Sequence, residues 1–327
     1  MSATFRKLAR VLVGAIFALS LGCGERGARA TGAERDPWSG RGRECVRPFV
    51  SRDGPYGERG GIEEIDDPRL AAVPPEAART MRAAGLAPLV SRALAGASLR
   101  ERSIDTLMTR QDLGMRLISL ETQLAAVIFE AECTGELIEA MTFELEDRAD
   151  QRDLRLALAS LVVGAISATA AGVWDLVGTT SKGPPVLALV GGFSSAALGG
   201  AAFVKSVRTM QFEHPRNLLA PLVHGRDDDE LYPRFVFRLL TLPSAEGERS
   251  PRERMLARFR ALIAEVVEPD ARAETEALLY GEGGVYTQDR LALRERLYDV
   301  LETELNAQAR DLELLDRFLV RALEHPR

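Results

Sequence analysis

Residues 113–145 read LGMRLISLETQLAAVIFEAECTGELIEAMTFEL. Within them Leu113, Leu117, Leu120, Leu124, Val127, Ala131, Thr134, Ile138, Met141 and Leu145 follow one another by alternating steps of four and three. A seven-residue repeat held that long predicts a helix with one continuous apolar seam. The flanks carry Arg116, Glu121, Glu130, Glu132, Glu136 and Glu144, as a solvated helix face would. Gly135 within the run costs on the order of 1 kcal/mol against alanine, too little to end a helix of this strength. Such a seam serves one of two ends. It recruits a partner or a second copy as a coiled coil, or it packs against another helix of its own chain.

C-terminal to this stretch the chain becomes markedly apolar. Two uncharged runs, Leu156–Val173 and Pro184–Val204, lie within residues 152–208 and are joined by a short polar link. The reversal falls at Gly178 to Pro185, where Pro184 and Pro185 suit the first turn of a returning helix. Gly164, Ala168 and Gly172 recur at four-residue spacing on one limb, and Gly192, Ala196 and Gly200 on the other. Small-residue ridges let helix backbones approach closely, so the two limbs are expected to pack as an apolar hairpin. Runs of 18 and 21 residues would extend about 27 and 31 Å, enough for a bilayer. The charges oppose simple insertion. Arg152, Arg155, Lys205 and Arg208 stand at the open ends, which the positive-inside rule keeps in the cytoplasm. Three readings are open: a hairpin buried by other helices, one held in the inner membrane, or one that stays shielded and inserts after export.

Towards the N-terminus the signals concern targeting. Arg6, Lys7 and Arg10 precede an apolar stretch from Val11 to Gly22, too short to span a bilayer but suited to a secretory signal. It ends in Leu19-Ser20-Leu21-Gly22-Cys23. This resembles the lipobox of bacterial lipoproteins, with Ser20 where that family usually has leucine. The resemblance covers only this corner of the chain. It implies that residues 1–22 are removed, that Cys23 is acylated, and that the protein resides in the cell envelope. Gly24 rather than aspartate follows the cysteine, which by the same resemblance favours the outer membrane. Ala28-Arg29-Ala30 offers an ordinary signal-peptidase site as a rival. Cys45 and Cys133 then remain as an even pair in an oxidising compartment, open to a disulfide or to two buried thiols.

Residues 23–67 are rich in Gly, Arg, Glu and Asp without apolar periodicity and read as a flexible tether. Residues 68–327 are expected to form a single all-α domain, an extended bundle of long helices with the 152–208 hairpin inside it. Ser98-Leu99-Arg100-Glu101 and Ser250-Pro251-Arg252-Glu253 have the form of capping boxes. His214-Pro215 is expected to end the returning limb, and Gly281 to Gly284 to form a loop. A last helix over 287–323 carries Leu301, Leu305, Gln308, Leu312, Leu315, Leu319 and Ala322 on one stripe, a natural antiparallel partner for 113–145.

Chemistry is sparse by comparison. The formal charge of −6 and the low aromatic share of 6% argue against a nucleic-acid surface. His214 and His224 near Asp227 to Glu230 suggest metal less than they suggest carboxylates before a helix N-terminus. No cofactor motif is present, since the glycines at 281–284 lack the lysine of a phosphate loop. No catalytic residue, cofactor or metal ligand is assigned. The expected function is a non-enzymatic, lipid-anchored envelope protein acting through membrane association and helix-mediated interaction, with a protein partner or a second copy. One alternative is a membrane-inserting protein whose arrangement resembles the helical pore-forming toxins, although none of their motifs is present. The other is a periplasmic hydrolase.

Overall fold

The computed structural model describes Cys45 and residues 67–98, 103–176 and 209–324, apart from 244 and 246. A 3-10 turn at Pro68–Ala72 leads into α1 (Pro75–Ala83) and α2 (Ala87–Ser98). Asp67 caps that turn, accepting from Arg69 N at 3.0 Å. Helix α3 then runs from Ile104 to Leu176 without a break, 73 residues, or roughly 110 Å. Its cap is Ser103, whose hydroxyl accepts from Thr106 N at 3.2 Å. Ser98, expected to open this helix, is instead the last residue of α2.

Beyond residue 208 the chain forms strand β1 (Thr209–Glu213), α4 (Leu219–His224) and α5 (Arg234–Thr241). Helix α6 (Pro251–Val266) starts at Ser250 with both halves of the expected capping box in place. Then come α7 (Arg272–Tyr280), strand β2 (Gly283–Thr287) and α8 (Gln288–Glu324). The all-α expectation needs correction at the two strands, which pair antiparallel with Thr209 opposite Thr287 and Glu213 opposite Gly283. His214-Pro215 therefore closes a strand, not a returning helix. Met210 and Phe212 point inward while Thr209, Gln211 and Glu213 face out, an alternation of only five residues that weakly signals a strand. The glycine loop is partly that strand. Gly283 holds φ +102°, and a side chain there would meet Phe212 O at 2.2 Å, so only glycine allows the pairing.

The core lies around α8. Its residues Leu301, Leu305, Gln308, Leu312, Leu315 and Leu319 are buried, as are Leu113, Leu117, Leu120, Leu124, Val127, Ala131, Ile138, Met141 and Leu145 of α3. These two helices form the most extensive contact between described elements, and they run antiparallel. Arg110 reaches Leu323 O at 3.4 Å near one end, and Gly135 faces Tyr298 further along. The seam of α3 is thus filled within the chain. Helices α1, α2 and α6 pack on other sides of α8, and α5 fills the space between α1 and α6. Past Leu145 none of the described side chains of α3 is buried.

Among the described residues no helix is long and apolar enough to cross a membrane; beyond Val162 only the backbone of α3 is described. Gly164, Ala168 and Gly172 lie on that backbone, while Cys23, Gly192, Ala196 and Gly200 lie outside the described residues.

Truncating the seam removes buried contacts and leaves a cavity. Leu124→Ala and Leu305→Ala are each expected to cost about 2–5 kcal/mol in urea unfolding. Glu132→Ala on the exposed flank should stay within about 0.5 kcal/mol of wild type.

Candidate functional site

Among the described residues the richest group of buried polar side chains gathers where α7 ends, β1 and β2 pair, and α8 begins. Its physical origin is the C-terminus of α7, whose last carbonyls have no partner within the helix. Tyr286, opposite Met210 in the ladder, places its hydroxyl 3.0 Å from Leu278 O. Asn217 donates from Nδ2 to Leu279 O at 3.0 Å and to Gly281 O at 2.9 Å. Its Oδ1 accepts from Leu219 N at 3.2 Å and from Arg294 at 3.3 Å. One amide therefore satisfies the end of α7 and the start of α4 together.

Arg294 is only 1% exposed. It donates through Nη1 to Leu279 O and lies 5.3 Å from the centre of the Tyr298 ring and 5.9 Å from that of Phe212. A buried cation ordinarily needs a carboxylate. Here the negative end of the α7 dipole and two aromatic faces take that part. Its Nε has no hydrogen-bond partner.

His214 completes the group. Its Nδ1 lies 2.9 Å from Gly281 O and its Nε2 lies 2.9 Å from the Tyr286 hydroxyl. With the proton on Nδ1 the ring donates to Gly281 O, and Nε2 competes with Leu278 O for the single Tyr286 hydroxyl proton. Burial, then the nearby Arg294 guanidinium, pushes its pKa down from 6.5 to about 3, so the imidazole is neutral at physiological pH. Burial raises the Tyr286 phenol to about 12 and also lifts that of Tyr298.

Beside this group Glu130 of α3 accepts from Arg216 Nε at 2.7 Å, and Arg216 also donates to Leu231 O at 2.6 Å. Burial pushes the Glu130 carboxyl above its ordinary range, and Arg216 pulls it back in part. The sequence places Glu130 on the solvated flank of the heptad helix; the structure buries it, because Arg216 comes from the strand-to-helix link to meet it. The cavity between Glu130, Phe212, His214, Arg216 and Arg294 measures about 10 Å³, room for about one water molecule. Both ring nitrogens of His214 are engaged, and the arrangement ties together the end of α7, the two strands and the start of α8.

A second buried arginine, Arg79 of α1, donates to Leu239 O at 2.8 Å, to Asp311 at 2.5 Å and to Gln308. It fastens α1 and α5 to the polar position in the α8 stripe. Neither Arg79 nor Arg294 is identifiable from the sequence, since each looks like one more surface arginine. Position 294 does, however, continue the spacing of the stripe backward from Leu301 through Tyr298, and its occupation by a cation is the one available signal.

Cys45 and Cys133 form a disulfide with Cα atoms 5.5 Å apart, tying the segment ahead of the bundle to α3. Asp227 accepts from Leu231 N at 2.7 Å and Tyr232 N at 2.8 Å, ordering the turn before α5. On the outer side of the α3–α8 seam, burial and then Glu139 raise the Glu295 carboxyl, and burial and then Glu132 raise that of Glu302. Among the described residues no group of three potential ligands is placed to hold a metal ion. Comparison with protein-family models, curated proteins and solved structures finds no match.

The sign of the histidine effect follows from its depressed folded-state pKa. The stability it contributes is fully present above pH 6.5 and is lost as pH falls towards about 3. Below pH 6.5 the unfolded chain takes up a proton that the native chain refuses, a loss approaching about 1.4 kcal/mol per pH unit. The raised carboxyls of Glu130, Glu295 and Glu302 act in the opposite direction, so a comparison with His214→Asn isolates the ring. The difference in unfolding free energy between wild type and variant should fall with that slope between pH 6 and pH 4. A difference independent of pH would mean that His214 is charged in the folded protein.

Proposed function

We propose that this chain is a non-enzymatic protein of the bacterial cell envelope, anchored through an acylated Cys23 and acting by membrane association and helix-mediated interaction. The observation that carries the reading is the Cys45–Cys133 disulfide, because such bonds persist in oxidising compartments. It agrees with the basic start, short apolar stretch and lipobox-like Leu-Ser-Leu-Gly-Cys of the first 23 residues. The water-sized cavity at the richest buried polar group supports a structural protein over a hydrolase. Alkaline carbonate extraction of membranes tests the anchor. Wild type should stay in the membrane pellet and Cys23→Ser should move to the supernatant. A variant that stays in the pellet would place the attachment in residues 152–208 instead.

A second reading, membrane insertion by the apolar hairpin, draws on one further feature. Leu154, Leu158, Leu161 and Val162 are exposed on α3 beyond its contact with α8. They share one face, roughly opposite the positions of Leu156, Ala159 and Val163, so both sides of the helix become apolar here. The purified protein added to liposomes should release entrapped dye if this reading holds. Intact vesicles at both acid and neutral pH would leave the anchored, non-perforating protein.

A further inference from the structure

Strand β1 starts at Thr209, directly after the apolar 152–208 stretch. Among the described elements only β2 makes an extensive contact with it, and β2 in turn rests on α7 and α8. A two-stranded pair is marginal by itself, so β1 depends on what fastens its ends. His214 does this at the C-terminal end. Its backbone N donates to Glu282 O at 2.8 Å, and its ring nitrogens lie on Gly281 O and the Tyr286 hydroxyl, each at 2.9 Å. The ring also meets that of Phe212 edge to face, with centres 5.2 Å apart.

A positive charge is poorly tolerated at that ring. The groups around it are Arg294 from α8, with Tyr298 against it, Tyr286 from β2, Arg216 from the link after β1 and Glu130 from α3. Glu213 and Glu282, at the same end of the strand pair, are exposed. Glu130 is buried but committed to Arg216 at 2.7 Å, and Arg294 is held by a carbonyl, an amide oxygen and two ring faces. A second proton on the imidazole could still be hydrogen-bonded, with Nε2 donating to Tyr286 and Tyr286 to Leu278 O. The obstacle is charge. Two cations would share one enclosed group whose carboxylate is already paired, and that costs far more than one hydrogen bond returns. Burial and Arg294 accordingly hold the folded imidazole at about 3, while a ring exposed by opening of β1 titrates at its ordinary value.

The α3–α8 seam responds in the opposite sense. Glu139 of α3 raises the Glu295 carboxyl, and Glu132 and Glu136 raise that of Glu302, each on top of burial. Acid relieves this repulsion between the two helices. We propose that the β1–β2 pair is an acid-released latch: protonation of His214 frees β1, and with it the end of the 152–208 stretch, while the α3–α8 seam stays closed. The latch supplies regulation to the insertion reading above and rests on that reading only for its consequence at a membrane.

Hydrogen exchange of the full chain in detergent, followed by mass spectrometry, reads latch and seam separately. Between pH 7 and pH 5 the protection factor of residues 210–214 should fall about 25-fold, approaching tenfold per pH unit below the ordinary histidine pKa. That of residues 117–124 and 305–312 should not fall. In His214→Asn and His214→Gln, whose side chains take up no proton, protection of 210–214 should not change with pH. Unchanged protection of 210–214 in wild type, an equal fall in the seam, or a fall that survives in both variants would each overturn the latch. Dye release from phosphatidylethanolamine–phosphatidylglycerol vesicles reports on insertion by itself. Release confined to acid pH agrees with both. Latch opening without release at any pH removes only insertion, and release without latch opening removes only the latch.

Discussion

The pairing of α8 with the first half of α3 is the constraint on which the remaining architecture depends. An α3 of 73 residues exceeds what packing against short helices could hold, and α8 is the element long enough to cover its seam. Once the two lie antiparallel, the other faces of α8 are left for α1, α2 and α6. A helix apolar on several sides must occupy a centre, and α8 does. The connection from α3 back to α8 must then return the chain to the level of Gln288, and the strand pair does so by joining Thr209–Glu213 to the residues just ahead of α8.

Such a seam is degenerate, since leucines at a seven-residue period fit one another in more than one register. The buried polar groups remove that freedom. Arg294 reaches the last carbonyls of α7, and Gln308 meets Arg79 of α1. A slip of one turn in α8 would leave two buried cations without their acceptors, at several kcal/mol each. Glu130 acts similarly from α3, since only one register brings it to Arg216. The cluster around His214 is therefore best understood as the lock on helix arrangement. Its depressed imidazole pKa and its hydrogen bonds to Gly281 O and Tyr286 describe a joint between strand, helix end and α8.

Beyond Leu145 none of the described side chains of α3 is buried, and the exposed stripe from Leu154 to Val162 leads into the most apolar part of the sequence. The disulfide ties Cys45 to Cys133 in the middle of that same helix.

The meeting of the two long stripes within one chain is a finding of the structure. The long helices, the two matching stripes over 113–145 and 301–319, the capping box at Ser250 and the position of α8 are legible in the sequence. These rest on local periodicity and capping, which neighbouring residues settle among themselves. It could not disclose the two strands, since five alternating residues weigh little until a partner 70 residues away supplies the ladder. Nor could it separate Glu130, Arg79 and Arg294 from the many charged residues on helix surfaces. Their burial depends on carbonyls and counter-ions brought in from distant elements, and only the tertiary structure decides where those carbonyls stand. The helix seams are local in sequence and therefore readable; the polar lock that fixes them is long-range and therefore is not.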